Sequence, residues 1–284
     1  MATAISYLEQ IHPNEQKAHL TTQSNHEAQK NLRVRPDYRS STLWIGLRAD
    51  SKPFISQDLL EDLLKIGKAT QGLKASPFRY KVFFSDIPGT FSVGGDLAHF
   101  SDCIVNNKYD ALKKYALDAV SVIHRNATGD GYSDLCTVSL VQGEAQGGGF
   151  EAALSSHVII AEQGSFFGFP EGLFGMYPGM GAKRLLELRC GKSKARERVV
   201  SARRWSAEEL HRLGVVDFVV NRERGSNENK EILRAIGNLD EYKDRYASVR
   251  LEDLENDVLH CVEQAFSISD RNLRTMKRIL DAQA

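Results

Sequence analysis

The sequence of 284 residues has neither a long apolar segment nor an excess of one charge. Its apolar runs are short, such as 158–161, whereas a membrane-spanning helix needs about 20 apolar residues. Lysine and arginine together number 37, as do aspartate and glutamate, so the electrostatic signature of a nucleic-acid-binding protein is missing. The first residues show no basic stretch followed by an apolar one. We therefore expect a cytoplasmic protein without a secretory signal and without a nucleic-acid partner.

Residue patterns of several common catalytic sites are also missing. The four cysteines form no CxxC pair and the eight histidines no HxxxH or HxH pair, so we expect neither a disulfide framework nor a metal site. No GxSxG motif marks a nucleophilic serine, which disfavours a covalent acyl-enzyme. The glycine-rich segments match neither the P-loop nor the GxGxxG pattern, and we expect no cofactor.

Glycine, by contrast, is concentrated in the middle of the chain. Sixteen of the 22 glycines lie between Gly89 and Gly191, and glycine is used where backbone turns tightly or approaches something closely. Three apolar, strand-like runs border these glycines, at 80–84, 138–141 and 157–161. Strands that alternate with helices indicate an α/β fold.

Segments on either side predict further elements. The run 41–47 is rich enough in β-branched and aromatic residues for a strand. Ser56 is placed to cap a helix whose apolar stripe continues to Gly67, a glycine expected to end it. Ser206 and Glu209 have the spacing of a capping box for a later helix.

Two glycine clusters are placed to point backbone N–H groups into a cleft. Gly94 and Gly95 lie in the segment TFSVGGDL, between a predicted strand and a predicted helix. Three consecutive glycines, 147–149, follow a predicted buried strand and open a helix, FEAALSS. A helix N-terminus has unpaired N–H groups and suits an oxyanion. A plain turn in the first cluster and close helix–strand packing in the second would produce the same patterns.

A third cluster, GFPEGLFGMYPGMGA at 168–182, contains Glu171 among apolar and aromatic residues. Burial in such surroundings raises the pKa of a carboxyl group, which is how a general acid or base is tuned towards neutral pH. An ion pair between Glu171 and a nearby arginine such as Arg184 is the alternative.

Taken in order, FSxGGDL, GGGFE and PExxxGxxPGxGA resemble the crotonase, or enoyl-CoA hydratase/isomerase, superfamily. The segments 195–209 and 213–220 also resemble that family's helix and its GLVDxVV run, and the resemblance spans about residues 40–220. It implies an α/β fold, a crotonase-like spiral of ββα units with a C-terminal helical extension. It also implies assembly as a homotrimer or hexamer.

On this basis the chain divides into three parts. Residues 1–30 are polar and aperiodic and are expected to form a tail. Residues 31–220 are expected to form the crotonase-like catalytic core. Residues 221–284 are expected to form a helical region for oligomerisation and for covering the active site. Its amphipathic stretch at 251–280 would look the same if it packed within the chain.

The resemblance assigns roles to four residues. The backbone N–H groups of Gly95 and Gly148 correspond to the family's oxyanion hole, which would hold a thioester carbonyl. Glu151 and Glu171 correspond to the acid–base pair of the hydratases. Because Glu151 opens a helix whose dipole favours an anion, we expect it to stay the more ionised, and Glu171 to be the more basic.

A narrower resemblance, to bacterial diffusible signal factor synthases, rests on LVQGxxxGGGFEAALS, HxIIAExG, LFGxxPGMGA and NLRTMKR. That family makes cis-2-unsaturated fatty acid quorum-sensing signals from 3-hydroxyacyl chains on acyl carrier protein. Its members dehydrate the chain and cleave the thioester. The resemblance therefore implies a hydro-lyase with thioesterase activity, and docking on a membrane sensor kinase.

Two other functions stay open. One is an enoyl-CoA hydratase or isomerase that acts on acyl-CoA and leaves the thioester intact. The other is a non-catalytic binding protein with the same fold, which zero net charge and the presence of both glutamates disfavour.

Two further features bear on the substrate. An acyl tail needs an apolar tunnel, and each candidate wall residue could instead be ordinary core. The candidates are Phe166, Phe169, Leu173, Phe174 and Met176. Between Lys183 and Arg204, nine basic residues stand against two acidic ones. They form either an attractive surface for an acidic carrier protein or a solvated helix face.

Overall fold

Within the described residues, two β-sheets form the frame of the structure. The computed structural model describes residues 31–69, 75–221 and 240–283, so the expected tail and the first part of the C-terminal region lie outside the described residues. The strands are β1 (Leu32–Asp37), β2 (Thr42–Leu47), β3 (Tyr80–Ser85), β4 (Thr90–Ser92), β5 (Cys136–Val141), β6 (Glu144–Gln146), β7 (Val158–Glu162), β8 (Phe166–Gly168), β9 (Arg204–Ser206) and β10 (Phe218–Val220). The large sheet has the order β1-β2-β3-β5-β7-β10 and the small sheet the order β4-β6-β8-β9.

Helices surround these sheets. They are α1 (Gln57–Ala69), α2 (Leu97–Val105), α3 (Tyr109–Ala127), α4 (Gly148–Leu154), α5 (Ala182–Cys190), α6 (Lys192–Val200), α7 (Ala207–Arg212), α8 (Leu251–Ala265) and α9 (Asp270–Gln283), with a 3₁₀ turn at Pro170–Phe174. The capping box expected from Ser206 and Glu209 is present at the start of α7. None of the helices in the described ranges combines the length and apolar character that crossing a bilayer requires.

Three successive units repeat the order strand, strand, helix. They are β3-β4-α2, β5-β6-α4, and β7-β8 followed by the 3₁₀ turn and α5. In each unit the first strand joins the large sheet and the second joins the small sheet. The strands of successive units pair in parallel in both sheets. The expected spiral of ββα units with C-terminal helices is therefore confirmed.

Strands β2 and β5 are buried along their whole length, as is typical of parallel strands covered on both faces. The loops that leave the large sheet touch at Gly143, whose φ is +82° and whose Cβ, if present, would lie 1.9 Å from the carbonyl oxygen of Gly89. Glycine at 143 therefore allows neighbouring units to enter the small sheet side by side.

The helix expected after Ser56 is α1, but it does not end at Gly67. Ser56 Oγ accepts the N–H of Leu59 at 3.2 Å, which confirms the cap. The helix continues to Ala69. The missing side chain of Gly67 makes room for the guanidinium of Arg125, which donates to the Gly67 carbonyl at 2.6 Å. The prediction was wrong because a tertiary contact, not a helix end, requires this glycine.

Helices α8 and α9 pack on the core of their own chain. Helix α8 lies along α3, and α9 contacts α2 and the 3₁₀ turn. Leu254, Val258 and Val262 of α8 are buried at four-residue spacing. Gly175 lies so close to α9 that a Cβ would be 2.1 Å from Asn272 Nδ2. The amphipathic pattern of this region thus has a partner within the chain.

A buried ion-pair network holds the chain segment that follows α4. Asp217, whose side chain is 5% exposed, accepts from Arg189 at 2.9 Å and from Arg245 at 2.8 Å. Arg189 also donates to the carbonyl of Ser156, and Arg245 to that of His157. The two guanidinium groups therefore satisfy carbonyls at the C-terminal side of α4, while Asp217 neutralises them.

We expect Asp217→Asn to lower the free energy of unfolding by about 3–5 kcal/mol, because it removes the counter-charge of the buried Arg189 and of the partly buried Arg245. Urea unfolding followed by circular dichroism measures the change. The control is Asp50→Asn, which removes an exposed partner of Arg48 and should leave stability nearly unchanged. Equally small effects of the two substitutions would contradict the role given to Asp217.

Candidate active site

A cleft lies between the glycine-rich loops of the ββα units and helix α8. Its empty volume, including the part open to solvent, is about 650 Å³. Gly95, Gly148, Glu151 and Glu171 line it together with apolar side chains of α3 and α8. The structure thus brings the four residues of the expected oxyanion hole and acid–base pair to one place.

The first loop of the cleft follows β4. Gly94 has a φ of +104°, and its carbonyl accepts the N–H of Ile55 at 2.8 Å. A Cβ on Gly94 would lie 2.9 Å from the carbonyl oxygen of Gln146, in the second loop. Glycine at 94 therefore lets the two loops meet, with Gly95 at the point of contact.

The three consecutive glycines of the second loop meet different constraints. Gly147, with a φ of +51°, precedes α4 as its cap. A Cβ on Gly149 would lie 2.4 Å from the carbonyl oxygen of Ser92, a backbone atom that cannot easily give way. Gly148 stands between them as the first residue of α4. Close packing, the alternative interpretation of this cluster, is present, and it also positions the N–H of Gly148.

The N–H groups of Gly95 and Gly148 lie close to each other. A Cβ on Gly148 would be 3.5 Å from the nitrogen of Gly95. Among the described residues neither N–H has a hydrogen-bond acceptor. Two unpaired donors, one of them at a helix N-terminus, suit an oxygen that gains negative charge. This geometry fits the oxyanion hole implied by the resemblance, which stays a prediction.

Glu151 lies in the first turn of α4 and is 2% exposed. Its Oε1 accepts the backbone N–H groups of Met180 at 2.7 Å and Ala182 at 3.0 Å. Burial raises the pKa of Glu151 to about 7, although these two donors act to lower it. Glu151 is therefore the more ionised of the two glutamates, as expected, although burial raises its pKa well above the ordinary value of 4.5.

The carboxyl group of Glu171 lies in the same cleft. Its Oε2 is buried and has no hydrogen-bond partner among the described residues. Burial, and after it the charge of Glu151, raise the pKa of Glu171 to about 8. A Cβ on Gly147 would lie 2.5 Å from Glu171 Oε1, so only glycine leaves room for this carboxyl. Glu171 is the more basic of the two glutamates, as the sequence predicts.

The alternative ion pair between Glu171 and Arg184 does not form. Arg184 pairs instead with Asp253 and Asp257 of α8. Glu151 and Glu171 are therefore a pair of like groups in an apolar cleft, and the charge of Glu151 adds to the rise in the pKa of Glu171. Two N–H donors stabilise the carboxylate of Glu151, whereas Oε2 of Glu171 has no partner among the described residues. Because the pKa of Glu171 is also the higher, the proton of the singly ionised pair lies on Glu171.

Three of the five expected tail-binding residues do not line the cleft. Phe169 is in the core, stacked on Phe150 with 4.8 Å between ring centroids. Phe166 is 37% exposed, beneath the guanidinium of Arg204, because side chains alternate between the two faces of β8. Leu173 is 55% exposed on the 3₁₀ turn.

The apolar wall of the cleft comes mainly from helices. Phe174 and Met176 lie on it, as expected. Sequence reasoning missed the contributions of α3, with Leu112 and Ala116, and of α8, with Val262. The apolar stripes of both helices were the available signal, but a stripe does not show what it packs against.

The basic segment between residues 183 and 204 presents less charge than its composition indicates. Arg189 is buried against Asp217, and Arg204 pairs with Glu144. Four exposed cations of this segment have no ion-pair partner among the described residues: Lys183, Lys192, Lys194 and Arg196.

The chain belongs to the enoyl-CoA hydratase/isomerase family, whose model matches residues 55–240. The peroxisomal bifunctional enzyme of Homo sapiens is 35% identical over 136 residues, which are 47% of this chain and 17% of that protein. A probable enoyl-CoA hydratase of Mycobacterium leprae (strain TN) is 28% identical over 156 residues, 55% of this chain and 57% of that protein. The chain thus spans less than two thirds of the length of these relatives.

A solved structure has the same fold. Human mitochondrial delta3-delta2-enoyl-CoA isomerase superposes with a TM-score of 0.72 and 20% sequence identity, over 89% of this chain and 98% of that chain.

We expect Glu171→Gln to lower turnover by about 10²–10⁴-fold and to stabilise the protein above neutral pH. A carboxyl whose pKa is raised by burial from 4.5 to about 8 destabilises the fold progressively as pH rises between these values, because the unfolded chain ionises first. Glutamine is never charged. The advantage of the variant in melting temperature should therefore grow from about pH 5 to about pH 8 and then level off.

Thermal unfolding of both proteins across this pH range measures the effect. Glu197→Gln, an exposed carboxyl, is the control and should show no such trend. A difference that does not change with pH would contradict the burial of Glu171.

We expect Gly149→Ala to push apart the two loops that carry the N–H donors. The added Cβ would lower the free energy of unfolding by about 1–3 kcal/mol through overpacking. It would lower kcat by about 100-fold, since a displacement of about 1 Å can do so. Gly172→Ala is the matched control, because the nearest atom to its Cβ is 3.9 Å away. Equal activity of Gly149→Ala and Gly172→Ala would contradict the requirement for glycine at position 149.

Proposed function

We propose that the chain catalyses the reversible addition of water to the 2,3 double bond of an acyl thioester, with acyl-CoA as the substrate. The observation that carries this proposal is the pairing of buried Glu151 with Glu171, whose Oε2 is buried, in one apolar cleft. Beside them lie two N–H groups that have no acceptor among the described residues. Such a site holds a polarised carbonyl, a proton donor and a proton acceptor together.

In hydration, the thioester carbonyl oxygen accepts hydrogen bonds from Gly95 and Gly148. The carboxylate of Glu151 takes a proton from a water molecule, whose oxygen forms a bond to C3. The electrons of the double bond move to the thioester as an enolate. Glu171 then gives its proton to C2. The product is the 3-hydroxyacyl thioester, and the glutamate pair has exchanged one proton.

The resting protonation state fits this direction. The proton of the singly ionised pair lies on Glu171, which must deliver it to C2, and Glu151 is the ionised partner that must accept one from water. Dehydration follows the same steps in reverse: Glu171 takes the C2 proton, and Glu151 protonates the departing 3-hydroxyl. Dehydration therefore starts from the less populated protonation state, in which Glu151 carries the proton.

The two carboxyl groups also favour a hydratase over an isomerase. Moving a double bond along a chain needs one group that takes a proton and returns it at another carbon. Adding water needs a second group to activate the water. Both groups lie in the cleft, and Glu171 Oε2 has no other partner among the described residues.

A second candidate function is synthesis of a diffusible signal factor. The strings LVQGxxxGGGFEAALS and LFGxxPGMGA support it. In that reaction the 3-hydroxyacyl chain is carried by acyl carrier protein and is first dehydrated. The same glutamates then activate a water at the thioester carbonyl carbon, which releases the free acid and the carrier thiol. The exposed cations on α5 and α6 would attract an acidic carrier protein. Docking on a sensor kinase belongs to this proposal as an expectation, whereas assembly as a homotrimer or hexamer is an expectation under both functions.

Product analysis by mass spectrometry separates the two functions. A 3-hydroxyacyl chain is supplied on CoA and, separately, on acyl carrier protein. We expect the CoA substrate to be converted to enoyl thioester without free acid, and enoyl-CoA to be hydrated. Free cis-2-enoic acid formed from the carrier-protein substrate, with little reaction of CoA esters, would overturn the first proposal and establish the second.

The double substitution Glu151→Ala, Glu171→Ala is the negative control. Loss of either acid–base group costs about 10²–10⁴-fold in rate, so the double variant should show no turnover on either substrate. Circular dichroism checks that it is folded. A folded double variant that retains activity would contradict both functions.

A further inference from the structure

A buried tyrosine hydroxyl lies against the first of the two N–H donor loops. Tyr115 of α3 is 2% exposed. Its hydroxyl donates to the carbonyl of Ile55 at 2.6 Å and accepts the N–H of Asp96 at 3.4 Å. A Cβ on Gly95 would lie only 3.3 Å from this oxygen. The hydroxyl therefore lies directly beside Gly95.

These hydrogen bonds act on the peptide groups on both sides of Gly95. The Gly94 carbonyl, which accepts from the N–H of Ile55 at 2.8 Å, belongs to the same peptide plane as the Gly95 N–H. In a trans peptide the two point in opposite directions, so holding the Gly94 carbonyl on Ile55 aims the Gly95 N–H away from it. The Tyr115 hydroxyl holds the carbonyl of Ile55, the residue that binds the Gly94 carbonyl, and it also holds the N–H of Asp96, the residue after Gly95.

The loop needs such an anchor. Gly94 and Gly95 have no side chains that packing could fix, and glycine samples more backbone conformations than any other residue. The ring of Tyr115 is held in place by Phe100, in an edge-on contact with 5.4 Å between centroids. The Tyr115 hydroxyl thus connects helix α3 to the loop that contains Gly94 and Gly95.

We infer that Tyr115 is a positioning residue, whose hydroxyl aims the N–H of Gly95 at the thioester oxygen of the substrate. This inference rests on the proposed function, because it concerns the oxyanion donor of that reaction. Tyr115 takes no part in proton transfer. Burial also raises the pKa of its hydroxyl, so the group keeps its proton and remains a donor to Ile55.

The test is Tyr115→Phe, with two readouts. Steady-state kinetics on an enoyl-CoA should show kcat lowered by about tenfold, less than the 10²–10³-fold for deleting an oxyanion donor, with KM little changed. The pH limits of activity should not move, because the glutamates are untouched. The second readout is the absorption band of bound 4-dimethylaminocinnamoyl-CoA, which shifts to the red when donors polarise its carbonyl. The shift should be smaller in the variant.

The matched control is Tyr109→Phe, the same change on the same helix, where the ring packs on Phe266. It should behave like the parent protein. An unchanged kcat and an unchanged band in Tyr115→Phe would overturn the inference while leaving the proposed function intact. If the parent itself neither hydrates enoyl-CoA nor shifts the band, the proposed function fails instead.

Replacing Tyr115 by 4-aminophenylalanine serves as the rescue variant, since it retains a donor to Ile55. It should recover the red shift and most of kcat. If Tyr115→Phe does not fold, this variant decides alone: a folded protein that keeps the donor but has lost the shift overturns the inference.

Discussion

Two carboxyl groups enclosed in one apolar cleft are the feature on which the rest of the site depends. Water would hold both as anions, but burial of Glu151 and Glu171 removes that solvation and raises their pKa values to about 7 and about 8. The glutamate pair can therefore both give and take a proton near neutral pH. Burying these groups lowers the stability of the folded state, and the large apolar core offsets this loss.

The architecture confines the pair by bringing distant segments together. Glu151 begins a helix between the two sheets, while Glu171 lies on a turn that α9 braces through the contact of Asn272 with Gly175. Helix α8 closes the other side of the cleft. Because the wall is apolar, each hydrogen bond or charge inside it acts more strongly than it would in water. The C-terminal helices are therefore part of the site.

The sequence alone could predict the chemical groups of the site because they lie in short local patterns. Gly95, Gly148 and the two glutamates each belong to a glycine cluster that follows a strand, and the parallel topology then brings the clusters together. Strands β2, β3, β5 and β7 and the two capped helix starts follow from local residue preferences in the same way.

What could not be predicted depends on tertiary contacts. Gly67 is required by Arg125, which lies 58 positions away. The pKa of Glu151 rises to about 7 because the side chain is buried, and the local sequence does not show that depth of burial. The wall formed by α3 and α8 depends on how two amphipathic helices meet, and Phe169 turned out to be core because Phe150 covers it.

A direct titration of the two glutamates tests the central claim. The protein would be labelled with ¹³C at the glutamate side-chain carboxyl carbons, and Glu151→Gln and Glu171→Gln would assign the two signals. Nuclear magnetic resonance should show the pair titrating with apparent pKa values near 7 and 8, with the last proton held by Glu171. Two signals that titrate near 4.5, the ordinary value for glutamate, would contradict the account.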